Sequence, residues 1–144
     1  MSAESKITIR SNSQATATML GKVLRADGAF ALISGLILFL GAKLIAVLIE
    51  LSQPLALSVL RVVLLNYASM LFFVVGRPIE LAGARLAIIL NVSWVVASYT
   101  GLLLGWFPVN AAGKWVIALI AEAITIFATL EFIALRRATK EVVD

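Results

Sequence analysis

Long apolar runs alternate with short polar intervals along the chain. Four runs stand out, from about Gly28 to Ile49, Leu55 to Val75, Leu86 to Leu104 and Trp115 to Leu135. Each is close to the roughly 20 residues that an α-helix needs to cross the hydrocarbon layer of a bilayer at about 1.5 Å rise per residue. Pro54, Pro78 and Pro108 each fall in an interval between runs, where the missing amide and fixed φ interrupt helix propagation. The pattern predicts four helices, not fewer longer ones. Because the runs are continuously apolar and lack the alternation of barrel strands, a closed barrel is disfavoured.

The flanks read differently. Residues 1–18 are rich in Ser, Thr and Asn, with only Ile7 and Ile9 breaking the polarity, and are expected to form a mobile tail. Residues 19–137 make up the membrane domain, and 138–144 a short C-terminal tail. The first apolar run is a full span with no small-residue cleavage site after a short apolar stretch, so it is read as a retained helix and not a secretory signal.

Composition supports the membrane reading. Of 144 residues, 62% are apolar and 14% charged, against roughly 45–50% and about 25% in soluble domains. A soluble protein this small has too much surface per unit volume to cover it with so few charges. Intrinsic disorder and a disulfide-stapled secreted domain are excluded. With no Cys and no His, the chain cannot form a thiolate zinc site, a c-type haem attachment or a Ser-His or Cys-His catalytic pair. No cofactor, metal site or catalytic residue is expected. The net charge of +4 comes from basic residues set between apolar spans. Without aromatic-basic interleaving, it points to anionic lipid headgroups and not to nucleic acid.

Charge position suggests an orientation. A cytoplasmic N-terminus puts Lys6, Arg10, Lys22, Arg25, Arg77, Arg85, Arg136, Arg137 and Lys140 inside, and leaves only Lys43, Arg61 and Lys114 toward the outside. By the positive-inside rule both termini are then cytoplasmic. The expected fold is all-α, a polytopic four-transmembrane-helix bundle, and the expected location is the bacterial inner (plasma) membrane. Trp106, Phe107 and Trp115 bracket the second outer loop, as amphipathic rings do at a headgroup boundary.

In lipid, close backbone approach and polar contacts hold helices together, so small residues should mark the seams. Gly28, Ala31, Gly35 and Ala42 form one such stripe on the first helix. Asn91, Trp94, Ser98, Gly101 and Gly105 form another on the third, and both are expected to face inward. The candidate intramembrane polar residues are Arg61, Asn66, Asn91, Tyr99 and Glu122. A central charge costs roughly 2.5–3.5 kcal/mol on insertion scales and therefore needs a partner or a wet cavity. Arg61 and Glu122 each lie about 10 Å inside the outer boundary of their helices, which makes them candidate partners. Their pairing is expected first to lock helix register and second to serve an ion or substrate site. Glu131, nine residues from Glu122, lies on the opposite side of the same helix and is expected to snorkel toward Arg136, Arg137 or the cytoplasm. Lys43 and Glu50 read as interfacial side chains. Asn91-Val92-Ser93 matches a glycosylation sequon but lies inside a span and is disregarded.

With its small-residue first helix, the Asn91-Val92-Ser93-Trp94 stretch and a fourth helix ending in Leu135-Arg136-Arg137, the chain loosely resembles the small four-helix integral membrane proteins of bacteria over residues 20–137. That resemblance implies a four-helix bundle and carries over no catalytic residue. Small multidrug transporters are similar in length and helix count, but their coupling carboxylate is in the first helix. The first span as delimited here has none deep inside. The leading functional expectation is a non-enzymatic bundle that binds a partner, lipid or a second copy. The alternative is a small transporter or ion-coupled carrier that uses Glu122 with Arg61.

Overall fold

The computed structural model describes residues 3–50, 54–78 and 80–143. Four helices account for nearly all of them: α1 (Ala3–Leu48), α2 (Pro54–Val74), α3 (Glu80–Leu103) and α4 (Ala111–Val143). Each is long and apolar enough to cross a membrane, which is the make-up of a multi-pass membrane protein. Two helices are longer than their apolar runs. The α1 backbone is helical from Ala3, inside the stretch expected to be a tail, and α4 continues beyond Leu135 through Arg136, Arg137 and Lys140. Hydropathy marks where a helix can sit in lipid, not where the helical backbone ends, and both helices continue into polar sequence with no Pro to stop them. Pro54 is the first residue of α2, a position where no intrahelical amide bond is lost.

The helices run up and down. α1 packs along both α2 and α4, α4 packs along α3, and α2 meets α3 over a short stretch. Among the described residues α2 and α4 sit diagonally across the bundle and do not pack along each other. At the end carrying the termini, Leu20, Leu24, Leu71, Ala84, Ala87 and Ala134 form one buried apolar layer drawn from all four helices. At the opposite end Asn110 ties the loops together. Its Oδ1 accepts from the Gly113 amide at 2.9 Å and so caps α4, while its Nδ2 donates to the Leu48 carbonyl at 3.0 Å at the end of α1. One side chain satisfies orphan groups at two helix termini.

α3 stops in a left-handed turn. Gly105 has φ 68°, the Trp106 amide bonds the Gly101 carbonyl at 2.9 Å, and the Gly105 amide bonds Leu102 at 3.4 Å. This is the paired pattern of a glycine-terminated helix. The turn folds Phe107 back over Gly101, where a Cβ would come within 2.5 Å of the ring. Trp106 and Trp115 at this end are exposed.

Outside the seams the surface is apolar. Large side chains such as Leu40, Leu44, Leu103 and Leu119 stand exposed, as a lipid-facing exterior requires. Inside them, the small residues set how close the helices come. Gly28, Ala31 and Gly35 are buried on α1, and Ser98 and Gly101 on α3. Trp94 and Gly105, expected on the same inward stripe, are exposed instead. Gly105 belongs to the terminating turn, and the Trp94 ring is too bulky for a seam lined by small side chains.

Gly83 is the tightest approach between α2 and α3, since a Cβ there would stand 2.7–2.9 Å from the Val74 side chain. Gly83→Ala should therefore destabilise the bundle by about 1–3 kcal/mol, read as a lowered midpoint of thermal unfolding in mild detergent. Gly41→Ala meets nothing closer than 3.5 Å and should leave the midpoint unchanged.

Candidate functional site

One residue from each helix meets in the interior. Asp27 of α1, Tyr67 of α2, Asn91 of α3 and Glu131 of α4 form a continuous polar cluster. Counted along each helix from its terminal-side boundary, at about 1.5 Å per residue, all four lie roughly 10–16 Å deep. The up-and-down topology is what brings them to one level. Each of the three most buried members sits on the inward stripe of its helix. Asp27 continues the buried series Leu20, Leu24, Ala31 and Gly35. Asn91 continues Ala84, Ala87 and Ser98, and Glu131 continues Ala121, Ile124, Ala128 and Ala134.

Asn91 bridges the two acids. Its Nδ2 donates to Asp27 Oδ2 at 3.0 Å and to Glu131 Oε2 at 3.1 Å, using both amide hydrogens. The Tyr67 hydroxyl lies 2.6 Å from Asp27 Oδ2 and 3.1 Å from Asn91 Oδ1. Asp27 is 1% exposed and Glu131 0%, and Glu131 Oε1 is buried with no hydrogen-bond partner. Neither acid is bonded to a Lys or Arg among the described residues.

Hydrogen counting shows what the cluster can do. There are four close polar contacts, but Asn91 and Tyr67 bring three hydrogens. The Tyr67 hydroxyl donates to Asp27 Oδ2, and one proton on the acid pair removes a charge that no bonded cation balances among the described residues. Electrostatics points the same way, because two carboxylates buried together without a cation are costly in a low-dielectric interior. The cluster is chemically equipped to hold a proton. On the side of the termini the Leu20, Leu24 and Leu71 layer covers it, with those three side chains 1%, 0% and 0% exposed.

The sequence-derived candidates fall in three places. Asn91 lies at the centre of the cluster. Arg61 stands over the Phe39 ring at 5.3 Å on the α1/α2 side, while Glu122 is exposed on the α3/α4 side and accepts a 2.5 Å bond from the Tyr99 hydroxyl. The expected Arg61–Glu122 pair is therefore not formed within one chain, because α2 and α4 do not pack together. Asn66 is exposed and donates to its own helix, Nδ2 to the Val62 carbonyl at 2.8 Å. Gly28, Gly35, Ser98 and Gly101 line the seams described above. Lys43 and Glu50 are exposed at the loop-side end of α1.

Two expectations are corrected. Glu131 does not snorkel: it is fully buried, since its place on the α4 stripe directs it inward, away from Arg136 and Arg137. The first helix does carry a deep carboxylate. Asp27 precedes the apolar run by one residue and so reads as a boundary, but α1 passes straight through it. Tyr67 went unnoticed as well. The usable signal was the stripe: on α1 and α4 the acid falls in register with small and apolar residues at steps of three and four.

A lateral groove of about 290 Å³ between α3 and α4 is lined by residues including Val92, Val95, Ala128 and Phe132. Its threonines bond their own helix, Thr125 to Ala121 and Thr129 to Thr125. Among the described residues no group of three or more His, Cys, Asp or Glu is placed to hold a metal ion. No protein-family model, no curated protein and no solved structure matches this chain.

Asn91→Leu removes both donors from the buried acids and should cost about 1–3 kcal/mol for each group left unpaired. Tyr67→Phe removes one hydroxyl and should cost less. Unfolding by heat or denaturant in detergent, compared across wild type and both variants, measures the order.

Proposed function

We propose that this protein is a small ion-coupled membrane carrier whose coupling site is a proton held between Asp27 and Glu131. The observation that carries this reading is the single Asn91 amide bridging two fully buried carboxylates with no bonded cation among the described residues. Ionisable groups inside membrane bundles are costly to insert and mark proton and ion pathways in pumps and transporters. Losing the proton adds a charge to a site that has no cation to balance it. The four helices joined there then gain a reason to move apart and admit water, and such a two-state element is what a coupled carrier needs.

Asp27 and Glu131 replace Glu122 and Arg61 as the coupling residues of this reading. Tyr67 and Asn91 position the proton and do not exchange it with solvent. With the Lys- and Arg-rich end facing the cytoplasm, both termini are cytoplasmic in a bacterial plasma membrane. The Leu20, Leu24 and Leu71 layer then separates the site from the cytoplasm and has to part for the proton to leave that way. The chain acts without a catalytic residue of its own. The reading as a bundle that binds lipid, a partner or another copy draws support from a different feature, the lipid-facing Glu122.

Purified wild-type protein, shifted from about pH 6, above the ordinary carboxylate range, to alkaline pH in weakly buffered detergent solution, should release one proton per chain more than either Asp27→Asn or Glu131→Gln. A pH-sensitive dye reports the difference. Equal release by all three folded proteins would contradict proton storage at this pair.

A further inference from the structure

Glu122 is a carboxylate in the wrong solvent. It lies seven residues, or about 10 Å, inward of Trp115 on a membrane-spanning helix, and its side chain is exposed on the outer surface with Tyr99 as its bonded partner. A neutral hydroxyl donor does not balance a carboxylate charge, and lipid tails offer nothing further. Arg61 has the complementary difficulty. It is about 10 Å inward of Pro54, and among the described residues its guanidinium rests on the Phe39 ring and makes no ion pair. That ring is itself 57% exposed, so the cation lies at the lipid-facing side of α1 and α2.

The two groups match in depth and in charge, but they lie on separate sides of one bundle. Arg61 belongs to the α1/α2 side and Glu122 to the α3/α4 side, and among the described residues α2 and α4 do not pack along each other. They cannot neutralise each other within a chain. They can do so between two chains inserted the same way, where depth is matched automatically.

We infer that copies of this chain associate head to tail in the membrane, Arg61 of one copy pairing with Glu122 of the next. The Tyr99 hydroxyl pre-orients the carboxylate through one oxygen and leaves the other to receive the guanidinium. Phe39 holds the arginine by a cation–π contact until the partner arrives. The contact is heterologous, joining two different patches, so a pair of copies still leaves one Arg61 and one Glu122 unmatched. Further copies satisfy them by closing a ring or extending a row, and either form has at least three copies.

Charge reversal tests the pairing. The readout is subunit number in lipid nanodiscs, counted by stepwise photobleaching of a single label per chain. Wild type should give three or more steps. Arg61→Glu and Glu122→Arg should each shift the monomer–oligomer equilibrium at least tenfold toward monomer, and the double reversal Arg61→Glu/Glu122→Arg should restore the wild-type count. Glu122→Gln, which keeps the shape and the Tyr99 bond, should also weaken assembly, and its milder change guards against misfolding of the reversals. A monomeric wild type, an unchanged Glu122→Gln distribution, or a double reversal no better than the single ones at equal helical content would overturn the proposal. None of these variants touches Asp27 or Glu131, so proton release from that pair reads independently of assembly.

Discussion

Two carboxylates share the interior of a bundle that, among its described residues, supplies no bonded cation, and this constraint organises the rest of the molecule. Neither Asp27 nor Glu131 can remain in a lipid-enclosed core without donors, and the donors come from the two other helices, Asn91 on α3 and Tyr67 on α2. Four helices are thereby joined by side chains at one level. In lipid, where apolar burial gives helices little reason to associate, such a junction specifies register as well as affinity. A shift of any helix by one turn, about 5.4 Å, would break it.

Close backbone approach makes the junction geometrically possible. Gly28 sits one residue after Asp27 and packs on Leu71 and Phe72. Gly83, two turns before Asn91, packs on Val74. Larger residues at these positions would hold the helices too far apart for bonds of about 3 Å between short side chains. The small residues thus do more than fill space, because they set the distances over which the polar cluster closes. Below them the Leu20, Leu24 and Leu71 layer covers the cluster on the side of the termini, and the hydrogen bonds of the cluster run among its own four members.

The four helices and their order were legible from apolar run length and proline placement, because both depend on local sequence. The cluster was legible only in part. Asn91 stands inside an apolar run and draws notice, but Asp27 abuts the start of one and Glu131 lies near the end of another. A hydropathy reading assigns both to the interface. What it misses is the helical stripe, which continues through Asp27 to Leu24 and Leu20 and through Glu131 to Ala134. Whether an acid near a boundary faces in or out is decided by its angle on the helix, not its distance from the end. Arg61 and Glu122 match in charge and in distance from the ends of their spans. They do not pair within one chain because α2 and α4 are not packed neighbours, and helix adjacency is not encoded in any single span.

The shared proton is the central claim, and solid-state NMR of the protein in bilayers, with carboxyl carbons of Asp and Glu isotopically labelled, tests it most directly. The account predicts that near neutral pH the Asp27 and Glu131 carboxyl carbons are close in space, that their shifts show one proton between them, and that Asn91→Leu abolishes this signature. Two fully ionised carboxylates at that pH, or carboxyl carbons too far apart to share the Asn91 amide, would contradict it.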